Sequence, residues 1–172
     1  DAWTGSTRQI SLRVPQVGAG GRITLATRTL NVRIPQGVRE GQLIRLAGQG
    51  APGMAGGKAG DLYLEVHFAP HRRFRVEGRD LHLMLPVAPW EAALGATIAI
   101  ALPAGQQVKV RIPEGAQSGR AMRVRGKGIP GDPPGDLFLT VEVVLPDASN
   151  AKARQFYETM QRELAFNPRA AW

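Results

Sequence analysis

The feature that most restricts the fold is that the chain repeats itself. Val32-Arg33-Ile34-Pro35, Gly37, Gly41, Arg45, Gly48, Gly50 and Pro52-Gly53 recur 78 positions later. The copies are Val110-Arg111-Ile112-Pro113, Gly115, Gly119, Arg123, Gly126, Gly128 and Pro130-Gly131. Beyond that block the offset falls to 75, pairing Gly60-Asp61-Leu62 with Gly135-Asp136-Leu137, so the first copy holds three extra residues in the Gly-rich loop Met54 to Ala59. Ahead of the block the offset is 90, pairing Gly5, Ile10 and Leu12 with Gly95, Ile100 and Leu102. Two related units therefore stand in tandem. The second copy opens with the alternating strand Asp80 to Pro86, and its counterpart would precede Asp1. The expectation is that the chain is a piece of a longer protein and that one edge of its first unit is unpaired.

Apolar residues alternate at Leu30, Val32 and Ile34; at Leu62, Leu64, Val66 and Phe68; at Val108, Val110 and Ile112; and from Leu137 to Leu145. Period two describes half-buried strands, and Pro and Gly punctuation every eight to twelve residues or so favours small antiparallel sandwiches. Residues 89–94 predict one helical turn, begun by Pro89 and ended by Gly95. From Ala151 to Leu164 the period becomes helical, with Ala153, Phe156, Tyr157, Met160 and Leu164 on one face. Asp147 to Asn150 supply caps and Asn167-Pro168 a stop. The expected architecture is mainly β: two tandem related β-sandwich domains over 1–70 and 71–148, then a helix and tail over 149–172.

Composition limits the chemistry. With 43% apolar and 21% charged residues the chain folds, and no apolar run approaches the roughly 20 residues of a membrane span. The expectation is a soluble protein with no membrane partner. Zero Cys removes disulfides, iron-sulfur clusters, thiolate zinc sites and cysteine nucleophiles, and fits a reducing cytoplasm. Net charge is +8, and 18 of the 22 cations are Arg, which suits a polyanionic partner as well as it suits ordinary solubility. Arg72, Arg73, Arg75 and Arg79 cluster at the junction of the units, and Arg123, Arg125 and Lys127 along one strand. These seven are candidate DNA contacts, by backbone and shape rather than by base readout.

The two Gly-rich stretches, Gly48 to Gly53 and Gly126 to Gly131, match a dinucleotide fingerprint only superficially. A proline stands where free amides are needed and a strand, not a helix, follows each. His67 and His71 have a spacing that converges on a metal only in a helix, and His67 alternates outward from a strand. No constellation for nucleophilic or acid-base catalysis emerges, so the expectation is a non-enzyme without metal or cofactor. Ile10, Leu12 and Leu64 admit two readings: core residues, or the lining of a sandwich edge that takes an extended peptide by strand addition.

The repeated Ile-Pro-x-Gly, the Arg-x-x-Gly-x-Gly-x-Pro-Gly block, Gly-Asp-Leu-[Tyr/Phe]-Leu and Pro89-Trp90-Glu91-Ala92-Ala93-Leu94-Gly95 resemble the carboxy-terminal region of the DnaJ (Hsp40) co-chaperones over nearly the whole chain. The ending Asn167-Pro168-Arg169 with Trp172 fits the same resemblance. Val14 to Thr29 stands where other members insert cysteine repeats, so the resemblance is to the zinc-free class. It implies peptide-binding sandwiches, a client groove lined by Ile10, Leu12 and Leu64, and homodimerisation through Phe156, Tyr157, Met160 and Leu164. It also implies unfolded polypeptides as clients and service to an Hsp70 (DnaK) through a J domain that is not among these 172 residues. The family's Pro-His-Pro reads Pro70-His71-Arg72 here, adding positive charge. The alternative function is that of a nucleoid-associated protein binding curved double-stranded DNA through its arginines. Either reading places the protein in the cytoplasm, the second on the nucleoid.

Overall fold

The structure is a computed structural model and describes residues 2–17, 22–53 and 57–170. Asp1, residues 54–56 of the extra Gly-rich loop and Trp172, all used above, lie outside the described residues, as do 18–21 within the Val14 to Thr29 stretch. The fold is mainly β with a carboxy-terminal helix. The first unit contains β1 (Ser6–Val17), β2 (Ile23–Ile34), β3 (Leu43–Leu46) and β4 (Leu62–Glu65). The second contains β5 (Phe74–Glu77), β6 (Asp80–Val87), α1 (Pro89–Leu94), β7 (Ala96–Ala101), β8 (Gln107–Ile112), β9 (Ala121–Val124) and β10 (Leu137–Val143). Helix α2 (Ala151–Glu163) follows.

Each unit sets a hairpin against a second sheet. In the second unit hairpin β7–β8 faces the four-stranded sheet β5-β6-β10-β9, and in the first hairpin β1–β2 accompanies the pair β3-β4. The sandwiches are not wholly antiparallel, as the alternation had suggested, because β6 and β10 pair in parallel from Leu81↔Leu137 to Val87↔Val143. Alternation is the same in either direction, so strand sequence alone cannot reveal orientation. The long excursion through α1, β7, β8 and β9 supplies the crossover that parallel pairing requires.

The repeat is also visible in the bonds. Asp61 accepts the Gly48 amide at 2.8 Å and Arg45 Nε at 2.7 Å; Asp136 accepts the Gly126 amide at 2.7 Å and Arg123 Nε at 2.6 Å. Gly48 and Gly126 both have φ of 66°, a left-handed turn where glycine avoids Cβ strain. The glycine block is thus a carboxylate-clamped turn built twice.

The two units differ sharply in burial. Leu81, Leu85, Val87, Ile100, Leu102, Val110, Ile112, Leu137, Leu139 and Val141 are sealed in the second unit. In the first, only Ala2, Val32 and Val38 are buried among the described residues. Val38 and Ala2 meet Ile129 in a small cluster that joins the units, with Phe68 and Val76 packed against it. Asn150 caps α2 by accepting the Ala153 amide at 2.8 Å, and Leu164 ends it. No helix among the described residues is long and apolar enough to cross a membrane.

Candidate peptide groove and basic surfaces

The first unit's thin core leaves a cavity of about 590 Å³. Ile10, Val32 and Ile34 line it from the hairpin, Ile44 and Leu64 from β3–β4, and Phe74, Val76 and Leu81 from the second unit. Its walls are chiefly apolar, with Glu65, His67 and His71 at the rim. Of the three residues expected in a groove, Ile10 and Leu64 are brought together here. Leu12 lies one step further along the same face, half-buried, outside the lining. Ile44, Val66, Phe68, Trp3 and Phe74 also line the cavity, and sequence reasoning passed over them. The signal that could have found them is the repeat itself, since Val66 matches Val141, a core residue of the second unit.

The cavity has a simple cause. In the second unit Ile100, Ile112 and Leu139, the equivalents of Ile10, Ile34 and Leu64, are covered, because β6 lies along β10 and lowers Leu81, Leu83 and Leu85 onto them. Strand β4 pairs with β3 on one edge and carries no strand on the other among the described residues.

His67 sits between two carboxylates at the rim, its Nδ1 2.9 Å from Glu40 and its Nε2 3.6 Å from Glu65. Its partnership with Glu40, then the charge of Glu65, raises its pKa. Glu40 also accepts the Phe68 amide at 2.5 Å, which, with His67, holds its own pKa low. The pair ties the β2–β3 connection to the chain leaving β4. His71 is used differently, its Nδ1 accepting the Arg73 and Phe74 amides at 3.2 Å.

The Gly48 amide and Arg45 hold the Asp61 carboxyl below the usual range, and the Gly126 amide and Arg123 do the same for Asp136. A depressed carboxylate stabilises the fold above its unfolded pKa and ceases to as pH falls through the folded one. Asp61→Asn with Asp136→Asn is therefore expected to flatten the loss of thermal midpoint below about pH 4. Calorimetry from neutral to acid pH reads this, and an acid limb as steep as the parent's would reject the assignment.

The seven candidate DNA contacts fare unequally. Arg72, Arg125 and Lys127 are exposed. Arg75 faces Glu77 at 3.5 Å, and Arg73 stacks 5.4 Å over the Phe74 ring and donates to the Ala101 carbonyl at 3.3 Å. Arg123 is engaged by Asp136 and lies 5.6 Å over Phe138, which itself stacks on His82 at 5.1 Å. Arg79 is set apart, half-buried, with Nη1 on the Pro133 carbonyl at 3.3 Å and its backbone carbonyl accepting the Ile129 amide. It packs against Gly131 and Gly135, so its head serves the turn rather than a surface cluster.

A second apolar hollow, of about 400 Å³, lies between α1 and α2, lined by Pro89, Trp90, Pro146, Ala153, Phe156, Tyr157 and Met160. Tyr157 turns inward, half-buried, and donates to the Pro146 carbonyl at 2.7 Å. Phe156 is 67% exposed, Leu164 59% and Trp90 57%. The four residues expected on a dimer face thus divide: Tyr157 docks the helix on its own unit, while Phe156, Met160 and Leu164 remain outside.

A duplicated sandwich with an open apolar cavity in its first copy and an amphipathic terminal helix defines a class. The family described as DnaJ C terminal domain matches residues 1–146, and the chain belongs to it. Within that family it is similar to proteins named curved DNA-binding protein. It is 46% identical over 170 residues to that of Coxiella burnetii (strain RSA 493 / Nine Mile phase I), covering 98% of this chain and 54% of the relative. It is 47% identical over 169 residues to that of Pseudomonas putida (strain W619), covering 96% and 53%. The protein of Pseudomonas syringae pv. tomato is 42% identical over 172 residues, covering 98% and 54%. The chain spans about half the length of these curated relatives.

Proposed function

We propose that this chain is the client-binding and dimerising part of a zinc-free DnaJ-type co-chaperone, a binding rather than a catalytic module. The observation that carries the reading is the apolar cavity on which Ile10 and Leu64 converge, while their equivalents in the second unit are buried. A non-native polypeptide exposes apolar side chains on extended backbone, and an apolar cavity beside a sheet edge accommodates both. Two such sites in a homodimer, joined through α2, hold one long client more tightly than either alone by raising effective concentration. In the whole protein a J domain hands that client to an Hsp70 in the cytoplasm. A second reading, binding of curved duplex DNA at the nucleoid, is favoured by the name of the relatives and by the net charge of +8.

The experiment is fluorescence anisotropy of a labelled, permanently unfolded polypeptide titrated with the chain at low and high salt, with unlabelled duplex as competitor. Binding that persists in salt and resists the duplex is expected of an apolar groove. Binding that collapses with salt and yields to duplex would transfer the function to the arginines.

A further inference from the structure

The hairpin that forms the groove's wall has a second face. Strands β1 and β2 pair over twelve residues each, from Ser6↔Ile34 to Val17↔Ile23. Ile10, Leu30 and Val32 lie on the groove side. The opposite side pairs Thr7 with Arg33, Gln9 with Asn31, Ser11 with Thr29 and Arg13 with Thr27. All eight are exposed, all are polar, and none is acidic. From Ser6 to Ile34 the chain holds five arginines, no Asp or Glu, and no aromatic residue.

The second unit supplies an internal comparison. Strands β7 and β8 are six residues each, half the length, and Ala99 and Ala101 occupy the places of Gln9 and Ser11. Sandwich packing therefore needs neither the added length nor the groups at Gln9 and Ser11, whereas the polar character of Asn31 and Arg33 recurs at Lys109 and Arg111. Twelve residues of strand extend about 40 Å. The major groove of B-form DNA, about 12 Å wide, admits a two-stranded ribbon, and Arg, Asn, Gln, Ser and Thr are the side chains that bond base edges and phosphates there. Single strands are a poor match, since no aromatic platform exists for stacking, and the A-form major groove is too narrow.

We propose that the polar face of the β1–β2 ribbon seats in the major groove of duplex DNA. The Gln9–Asn31 pair faces the base edges, Arg13 and Arg33 on either side of it on the same face reach the flanking phosphates, and exposed Arg22, just before β2, reaches a third; Arg28, opposite Leu12, belongs to the groove side. Leu25, exposed further along the same face, offers the apolar contact that a thymine methyl accepts. The client groove uses the other side of the same hairpin, so polypeptide and DNA approach from opposite faces. This assignment rests on the duplex-binding reading above and names a surface separate from the junction arginines.

The test titrates a labelled duplex of about 30 base pairs with the parent chain, with a ribbon variant (Arg13→Gln, Arg22→Gln, Arg33→Gln) and with a junction variant (Arg72→Gln, Arg73→Gln), across about 50 to 200 mM salt. The ribbon variant is expected to bind at least about 100-fold more weakly at the upper salt, with a log–log salt slope shallower by about 3, since each of the three lost phosphate contacts removes about 0.9. The junction variant should change the slope by no more than about 1. Methyl green, a major-groove ligand, should displace the parent, and distamycin, a minor-groove ligand, should not. Calorimetry with an unchanged midpoint keeps a ribbon effect from being mistaken for unfolding. A parent chain that ignores duplex at about 50 mM salt sinks the DNA reading itself. A parent that binds while the ribbon variant matches its affinity and slope, or one displaced by distamycin alone, overturns the ribbon assignment and leaves the DNA reading standing.

Discussion

Replacing Phe156 and Met160 together by glutamate is expected to leave the chain monomeric at concentrations where the parent sediments as a dimer. The helix α2 contributes no buried residue, yet its exposed groups Phe156, Met160 and Leu164 adjoin the hollow walled by Pro89, Trp90 and Pro146. Apolar surface of that extent beside an unfilled hollow favours cover by another molecule, and a second copy would meet it with the same surface across a two-fold axis. Symmetry then doubles every substitution, so two glutamates per chain place four unpaired carboxylates in one interface. An uncompensated buried charge costs about 3 to 5 kcal/mol, so the dimer constant should weaken by at least about 1000-fold. Tyr157→Phe is the internal control: it removes the 2.7 Å bond to Pro146 within one chain, costs about 1 kcal/mol of stability and leaves the mass unchanged. Sedimentation equilibrium decides the matter. A parent that is already monomeric, or a double variant with the parent's mass, would confine α2 to a cap over its own unit.

Loss of the dimer should also weaken binding of a long polypeptide more than binding of a short one, because only the long client spans two grooves. On the proposed reading the dimer face and the groove act as one device, and the two variants that test them should differ in their dependence on client length.

The parts of this fold that were legible in the sequence are those governed by local physics. Period-two apolar spacing marked the strands, Pro89 and Gly95 bounded α1, and Asn150 capped α2. The 78-residue offset marks the duplicated turn, although the reason Arg45 and Arg123 repeat, each holding the aspartate that clamps a left-handed glycine turn, lies in side-chain contacts visible only in the folded chain. Arg123 read as a surface cation and Arg79 as a member of a cluster, because composition counts charges without counting their partners. Strand direction was illegible for a different reason: Leu137 to Val143 alternates identically whether its neighbour runs parallel or antiparallel. The polar face of β1–β2 was passed over because its residues look like an ordinary solvated strand until the register places Gln9 beside Asn31 and Arg13 beside Thr27. Candidate site residues are hardest of all, since Ile10 and Ile100 occupy the same place in the repeat and differ only in what covers them.

That difference yields the sharpest test of the groove, because one substitution can be made in both copies. Leu139 is fully buried and Leu139→Ala should cost about 2 to 5 kcal/mol of stability, with the affinity of the remaining folded protein for unfolded polypeptide unchanged. Its equivalent, Leu64, is half-buried on the cavity wall, so Leu64→Ala should cost about half as much or less. What Leu64→Ala should lose instead is client affinity, by about tenfold, the order expected for withdrawing one apolar side chain from a binding pocket. Leu64→Asp should lose more, since a carboxylate in an apolar wall must be desolvated whenever a client covers it. Duplex affinity should not move in either variant, because Leu64 lies beneath the inner side of the ribbon whose outer side carries Arg13 and Arg33. The crossed pattern, stability from one copy and affinity from the other, follows only if the open wall at Leu64 is where the client seats. Equal stability losses at both positions with client affinity untouched would make Leu64 a core residue like its twin.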